Sequence, residues 1–190
     1  QHATYFINSL AHMWGTRPYS DNSSARDNTL LALITYGEGY HNYHHTFQWD
    51  YRNGIRWWHF DPTKWLIRSL ERVGLASGLK RCAPDKIERA KLERQFQLVT
   101  EKCERLAVEG DWQSRLETEY EALLHTVQQW AEHRQAWYEA KGKELQEHLS
   151  HLEKQQLKAH YLEFKYKLKL QKQRWQIVVR TLASPEPGIA

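Results

Sequence analysis

The chain has few of the residues that support a secreted or membrane-spanning fold. Its 190 residues include only two cysteines, Cys82 and Cys103, and they form no C-x-x-C pair. Two isolated cysteines cannot build a disulfide framework, so both are expected to be reduced thiols. No stretch reaches the roughly 18–20 apolar residues of a membrane span. With a mean hydropathy of -0.81 and 26% charged residues, the sequence taken alone is that of a polar chain.

The second half of the chain lacks helix breakers. Proline is absent between Asp85 and Pro185 and glycine is rare there, while Glu, Lys, Gln, Arg and Leu dominate. This composition favours long helices. A heptad seam with alternating spacings of four and three residues, typical of helices that pack along their length, consists of Leu116, Tyr120, Leu123, Val127, Trp130, Arg134 and Trp137.

A second seam is expected further along this tail. It consists of Leu145, Leu149, Leu152, Gln156 and Ala159, with a looser extension to Leu162 and Tyr166. Gly142 lies between the two seams, so an antiparallel hairpin is plausible. One long helix is the alternative, because a single glycine costs only about 1 kcal/mol in a helix.

The first half is distinguished by histidine. His41, His44 and His45 form an H-x-x-H-H box within the run Gly37–Phe47. On a helix, positions i, i+3 and i+4 share one face, so three imidazoles there can converge on a metal ion. A polar helix face with solvated histidines is the alternative. Gly37 and Gly39 are expected to let the backbone approach this site closely.

Local signals place two helices beside the box. Asp27, Asn28 and Thr29 can cap a helix that runs from Leu30 toward Tyr36. Asp61 is the expected N-cap of a helix that has Pro62 in its first turn and ends near Gly74. The apolar stripe expected on that second helix consists of Trp65, Leu66, Ser69, Leu70 and Val73.

Four motifs resemble the C-terminal catalytic half of a membrane fatty-acid desaturase of the acyl-CoA delta-9 (stearoyl-CoA type) branch. They are Asn8–His12, Gly15–Tyr19, Gly37–His45 and Trp57–Trp65. The resemblance covers about the first 80 residues. It implies an oxidoreductase that uses O₂, two electrons and a histidine-held diiron centre to introduce a double bond into a saturated acyl chain. The family's two earlier histidine boxes are missing, so we expect a C-terminal fragment that is inactive alone.

The resemblance also assigns residues to the site. It implies that His12, His41, His44 and His45 bind the two irons, that Asn8 reaches them through a water, and that Thr4 and Tyr5 line the acyl tunnel. Ligating histidines need an acceptor for their second ring nitrogen. Near in sequence, Glu38, Asn42 and Asp50 are the expected acceptors. His59 is interpreted as structural, and the histidines of the tail as solvated.

The expected fold class is all-α, with residues 1–80 as the C-terminal part of the desaturase catalytic domain, 81–184 as a coiled-coil-like tail and 185–190 as a disordered end. The expected partners are a fatty acyl-CoA, O₂, membrane lipid and an electron-donor protein of the ferredoxin or b-type cytochrome kind. Self-association through the tail is possible. The tail mixes Glu with Lys, so nucleic acid is not expected. Basic excess between Arg52 and Arg94 is typical of the cytoplasmic side of a multi-pass membrane protein.

Two other functions stay open at this point. A histidine-box hydroxylase of lipids or alkanes would share the same ligands. A coiled-coil interaction module would place the function in residues 85–182 and leave the histidine box unexplained.

Overall fold

The computed structural model describes residues 9–143 and 151–183, which are mainly helical. A short helix α1 at residues 9–13 is followed by six more, and the described residues contain two isolated β-bridges but no strand. The all-α prediction is therefore confirmed. The further helices are α2 (Thr29–Ile34), α3 (His41–Thr46), α4 (Pro62–Arg72), α5 (Pro84–Arg105), α6 (Trp112–Lys143) and α7 (His151–Ala183).

The chain forms two compact units, Gln1–Arg94 and Gln95–Ala190, and their boundary falls inside α5. The predicted boundary between residues 80 and 81 separates a catalytic part from a tail by function. It stays a prediction. None of the described helices is long and apolar enough to cross a membrane. The disordered end expected at 185–190 lies outside the described residues.

The core of the first unit joins the histidine helix to the start of α5. Its buried members are Tyr19, Tyr43, Phe47, Cys82 and Ile87. Three of them are aromatic rings in edge or tilted contact, with centroids 5.0 to 5.8 Å apart. Because Ile87 belongs to this core, the first turns of α5 are part of the first unit. Both cysteines are free and buried, as expected.

Both predicted helix caps are present. The Asn28 side chain accepts hydrogen bonds from the backbone N–H groups of Leu30 and Leu31 at the start of α2. Asp61 accepts from the N–H of Lys64 at the start of α4, where Pro62 occupies the first turn. These side chains satisfy donors that a helix N-terminus leaves unpaired.

Asp61 and Lys64 also fix the loop that precedes α4. The second oxygen of the buried Asp61 carboxylate accepts from the N–H groups of Asn53 and Gly54, both at 2.9 Å. The Lys64 ammonium donates to the carbonyls of Gly54, Arg56 and His59. Helix α4 thus buries a lysine.

The apolar stripe expected on α4 does not face the core. Trp65, Leu66 and Val73 are exposed, and Ser69 is exposed beside them. The side of the helix that carries Lys64 packs inward instead, because its ammonium satisfies three loop carbonyls. Periodicity identified the stripe but could not tell which surface it faces.

The second unit contains an antiparallel hairpin of α6 and α7. Glu119, near the start of α6, contacts Gln171 and Arg174 toward the end of α7. Tyr138, near the end of α6, lies against Tyr161 near the start of α7, with ring centroids 6.3 Å apart. The hairpin alternative is therefore the one found. Gly142 lies inside α6 and does not break it.

The end of α5 completes a three-helix packing within this unit. Gln95 accepts a hydrogen bond from the indole N–H of Trp175 at 2.8 Å. Further along both helices, the Cys103 thiol lies 3.9 Å from the carbonyl oxygen of Leu182. The last part of α5 therefore runs parallel to the last part of α7.

The first heptad seam is confirmed in its first four positions. Leu116, Leu123 and Val127 are almost fully buried, and Tyr120 packs against Phe96 with centroids 4.5 Å apart. These positions face the partner helices, whereas the last three, Trp130, Arg134 and Trp137, are half-buried.

The second predicted seam is wrong in register. Leu145 and Leu149 lie outside the described residues, whereas Leu152 is 64% exposed. Gln156 and Ala159 are exposed as well. The inward row of α7 consists of Leu157, Tyr161, Phe164, Leu168, Trp175 and Leu182. Both rows keep heptad spacing, and the row with the larger side chains packs inward because it buries more apolar surface.

We expect Leu168→Ala to destabilise the second unit by about 2–5 kcal/mol, because it leaves a cavity in a packed core. Leu152→Ala, the same substitution on the exposed row, should change the free energy of unfolding by less than about 0.5 kcal/mol. Urea unfolding of the two variants provides the measurement. Equal losses would contradict the observed register of α7.

Candidate metal centre

The box histidines lie on α3, a helix of only six residues that begins at His41. Its N-cap, Tyr40, provides no side-chain cap. The cap comes instead from Asp27, whose Oδ1 accepts from the N–H of Tyr43 at 3.1 Å. The backbone of Asp27 also forms antiparallel bridges with Thr16 and with Tyr40. A residue distant in sequence therefore fixes where the histidine helix starts.

Two glycines make this arrangement possible. Gly37 has φ of 101°, and a Cβ there would lie 2.9 Å from the Asp61 carboxylate. At Gly39 a Cβ would lie 2.2 Å from the backbone nitrogen of Ala32 in α2. The first position requires a left-handed backbone and the second a close approach of two backbones. Both agree with the expectation that these glycines bring the backbone close to the site.

His12, His41 and His45 converge. Each offers a ring nitrogen, and these nitrogens lie within 4.8 Å of one another. Nε2 of His41 is 3.2 Å from Nε2 of His45, one helical turn away. His12 comes from α1, and its ring centroid lies 4.9 Å from that of His41 and 5.7 Å from that of His45.

His44 stands beside this trio and is not part of it. Its ring centroid lies 6.1 Å from that of His41 and 5.8 Å from that of His45. The spacing argument predicted that all three box histidines share one face. In the structure two of them converge with His12, and His44 borders the group.

Ser24 orients His12. The Ser24 hydroxyl oxygen lies 2.8 Å from Nδ1 of His12. In the tautomer with hydrogen on Nδ1, the ring donates to Ser24 and keeps Nε2 free as an acceptor. Arg26 holds the end of α1 by donating to the carbonyls of His12 and Gly15.

The environment keeps His41 and His45 neutral. Burial first, and then the three neighbouring imidazoles, lower the pKa of His41 to about 4. Burial and the rings of His44 and His12 also lower the pKa of His45. Neutral imidazole is the form that binds a metal ion. At neutral pH these two residues therefore offer lone pairs and no competing positive charge.

The donor set fits an iron ion. Imidazole nitrogen suits iron, zinc, copper and nickel, so the residues alone do not select one metal. Nδ1 of His41 is buried and has no hydrogen-bond partner among the residues that the structure describes. A buried polar atom without a partner is costly unless something else satisfies it. The three converging imidazoles are consistent with a metal site, and the unsatisfied Nδ1 is the ring nitrogen of His41 opposite the one that faces His45.

The three expected acceptors for the histidines bond elsewhere. Glu38 accepts from the side-chain amide of Asn53 at 2.8 Å. The fully buried Asn42 accepts from the N–H of Tyr19 and donates to the carbonyls of Ser20 and Ala25.

Asp50, the third of them, is also a structural residue. Its carboxylate accepts from the hydroxyl of Tyr43, from the guanidinium of Arg52 and from the N–H of Cys82. Asp50 and Asn42 hold the loops around α3 to the core. Their role toward a metal stays a prediction.

The other residues that were assigned roles from the sequence lie partly inside and partly outside the residues that the structure describes. Thr4, Tyr5 and Asn8 lie outside the described residues. His59 stacks on Tyr40 with centroids 4.5 Å apart, which agrees with its interpretation as structural. In the tail, His133 is half-buried and stacks on Phe164 with centroids 4.1 Å apart, so its interpretation as a solvated residue is wrong.

Sequence reasoning missed Ser24 and the main role of Asp27. Ser24 lies in a polar loop that carries no signal of histidine contact. Asp27 was expected to help cap α2, the next helix, and it caps α3 instead. Only the fold brings these residues to the site.

Comparison with known proteins shows a similarity to acyl-CoA desaturases. No family model matches the chain. It is 47% identical over 102 residues to acyl-CoA desaturase 1 of Saccharomyces cerevisiae, a match that covers 54% of this chain and 20% of the yeast protein. It is 49% identical over 88 residues to a probable acyl-CoA desaturase of Schizosaccharomyces pombe, covering 46% and 18%. Stearoyl-CoA desaturase 5 of Bos taurus is 46% identical over 88 residues, covering 46% and 26%.

The relatives that this segment matches are desaturases, which are oxidoreductases. More particularly, about half of this chain is similar to a segment of acyl-CoA desaturases, and the resemblance seen in the sequence is confirmed. The chain spans about a fifth to a quarter of the length of these three relatives. The activity, substrate and partners of the whole protein are accordingly proposals.

The cap on α3 predicts a pH effect on stability. Burial raises the pKa of the Asp27 carboxyl from 3.8 to about 6, although the N–H groups of Tyr43 and Asn42 lower it. A raised folded-state pKa gives stability that is full below pH 3.8 and is lost as pH rises through about 6. Asp27→Asn keeps the acceptor oxygen and removes this titration. The free energy of unfolding of Asp27→Asn minus that of the wild type should therefore increase as pH rises from 4 to 7. The expected increase is up to roughly 3 kcal/mol.

Urea unfolding at the two pH values measures this gain, and the histidine titrations cancel because both proteins carry them. The exposed Asp111→Asn is the matched control and should show a gain near zero. If Asp27→Asn gains nothing, or becomes less stable relative to wild type as pH rises, the buried cap is not the titrating group.

Proposed function

We propose that this chain is the part of an acyl-CoA desaturase that carries the last histidine box. The convergence of His12, His41 and His45 within a segment related to acyl-CoA desaturases supports this most directly. The overall reaction removes two hydrogens from adjacent carbons of a saturated acyl chain. Together with two further electrons and two protons, they reduce O₂ to two waters.

The metal would be held by His12, His41, His44 and His45. Two irons are proposed, and the position of His44 beside the trio supports two because it is displaced from the first group yet still adjacent to it. A second ion would need further donors from outside the described residues. Bound iron supplies the oxidising power toward O₂ and an unactivated C–H bond that side-chain acids and bases lack.

The protein's own residues prepare this site. Ser24 contacts Nδ1 of His12 and so orients its ring, and burial keeps His41 neutral and shielded from water. Asp27 and Asn42 hold α3 from outside the trio, so the imidazoles are oriented before any ion binds. Such pre-orientation lowers the cost of binding, because little conformational freedom remains to be lost.

The finer assignments follow the family. We infer a delta-9 position for the double bond, an acyl-CoA substrate and an electron-donor protein of the ferredoxin or b-type cytochrome kind. The parent is proposed to be a multi-pass membrane protein with this segment on its cytoplasmic side. Thr4 and Tyr5 are proposed to line the acyl tunnel, with Asn8 near the irons.

The ligand assignment predicts a loss of product. In the full-length parent, expressed in a host without its own desaturase, His41→Ala, His44→Ala and His45→Ala should each reduce unsaturated fatty acid to background. The reason is that each removes a proposed iron ligand. His125→Ala, on the exposed surface of α6, is the matched control and should leave product unchanged. Gas chromatography of total fatty acids is the measurement, and normal product from His45→Ala would refute the proposal. Hydroxylated product from the wild type would indicate a hydroxylase.

The part of the tail that forms the second unit, from residue 95 onward, is proposed to add docking or stability but no chemistry. Deleting residues 95–190 from the parent should therefore retain substantial product per membrane-inserted protein. Deleting residues 85–190 should abolish it, because that cut removes Ile87 from the core of the first unit. Product and iron content are each divided by the amount of the protein in the membrane, which is measured by immunoblotting. Loss of both in the shorter deletion at normal protein levels would place the tail in the active site.

A further inference from the structure

Helix α7 carries a second apolar row on the side opposite its buried one. This outer face consists of Leu152, Leu162, Tyr166, Leu170 and Ile177, which are between 46% and 65% exposed. Helical periodicity places them about half a turn away from Leu168 and Trp175, which are buried. The row extends over roughly 37 Å at 1.5 Å per residue.

A continuous exposed row differs from scattered surface leucines. Single exposed apolar side chains are normal, whereas a contiguous patch marks a binding surface. A helix that is apolar on two opposite sides is normally covered on both. Helices α5 and α6 cover one side of α7, and the outer face has no cover among the described residues.

One border of the outer face is basic along its whole length. Helix α7 contains eight basic and two acidic residues. Lys158, Lys169 and Arg180 recur every eleven residues, or three turns, along one border and are exposed. Lys167 and Arg174 lie along the other border, where Lys167 is paired with Glu163 and Arg174 with Glu119 of α6. The first border therefore favours an occupant that is apolar in its interior and negatively charged at its surface.

One of the two acids is already neutralised. Glu163 lies next to the centre of the outer face, and its carboxylate accepts from the Lys167 ammonium at 2.7 Å. The pair lies one helical turn apart on the exposed surface.

A second copy of the chain does not suit this face. Pairing two such helices would bring their basic borders together, and like charges repel. A partner helix in a coiled coil is also disfavoured. The heptad positions of the outer row include Gln156, Glu163 and Gln173, which would place polar groups in the seam.

We propose that the outer face of α7 binds the surface of an anionic lipid bilayer. Leucine, isoleucine and tyrosine side chains enter the boundary between headgroups and acyl chains, which requires no matching partner side chains. Lysine and arginine stems lie along the apolar layer while their charges reach lipid phosphates. This surface is separate from the proposed metal centre, and the inference does not depend on desaturase activity.

The test must report on α7 itself, because the first unit exposes tryptophans that can also contact lipid. A polarity-sensitive dye is attached at Gln173→Cys, on the outer face, or at Gln128→Cys, on the exposed side of α6. The native thiols are buried, and mock labelling of the unchanged chain checks that they stay unlabelled. With phosphatidylglycerol vesicles the dye at 173 should shift to the blue, and with pure phosphatidylcholine it should not. The dye at 128 should not shift with either.

A charge-reversal pair tests the basic border. Lys158→Glu with Lys169→Glu lowers the net charge from +4 to zero, and so does the control pair of Arg105→Glu on α5 with Lys141→Glu on α6, both at exposed positions. The first pair should weaken binding to the anionic vesicles, read from the dye at 173, by at least about tenfold. The second should weaken it by less than about threefold, since its charges lie off the outer face.

Three results would overturn the proposal. The first is an unchanged dye at 173 in the presence of anionic vesicles. The second is an equal effect of the two charge reversals. The third is a blue shift at 173 that grows with protein concentration without vesicles, which would assign the outer face to a second copy.

Discussion

The position of the histidine helix depends on the hydrogen bond from the backbone of Tyr43 to the carboxylate of Asp27. A helix of six residues is too short to be stable alone. The free-energy cost of nucleating it exceeds the stabilisation from the few hydrogen bonds that such a short helix forms. It therefore needs its ends fixed by other parts of the chain. Asp27 provides this at the N-terminus and pairs its own backbone with Thr16 and Tyr40. Burial raises the pKa of Asp27 and so favours its protonated form in the folded state, although the capping N–H groups favour the charged carboxylate.

The polar residues around the histidine box have two roles. Some orient the histidines, and others hold the surrounding loops in place. Ser24 contacts His12 directly, whereas Asn42 sits within the box and hydrogen-bonds three backbone groups outside it. Asp50 bonds Tyr43 and the backbone of Cys82. The fold thus uses carboxylate and amide groups near the site mainly to prevent α3 from shifting. Four imidazoles can then approach one another while three of them converge.

Local features of the sequence predicted local structure well. Asn28 and Asp61 were identifiable as caps because a cap needs only the residue and the N–H groups two or three positions later. The box could be placed on a helix for the same reason. The contact of Ser24 with His12 could not be predicted, since it joins separate segments through the fold. Nor could the inward side of α4, because burying Lys64 requires three loop carbonyls that sequence periodicity does not reveal.

The wrong register of α7 has a physical cause that also points to its surface. The helix carries two heptad rows, and sequence periodicity alone cannot rank them. Packing against α5 and α6 selects the row with Phe164 and Trp175, which buries the larger rings. The row that contains Leu152 and Tyr166 has the apolar spacing of a buried seam, but it is exposed. A sequence that departs from local consistency in this way often does so at a functional surface, and the basic borders give that surface a definite kind of partner.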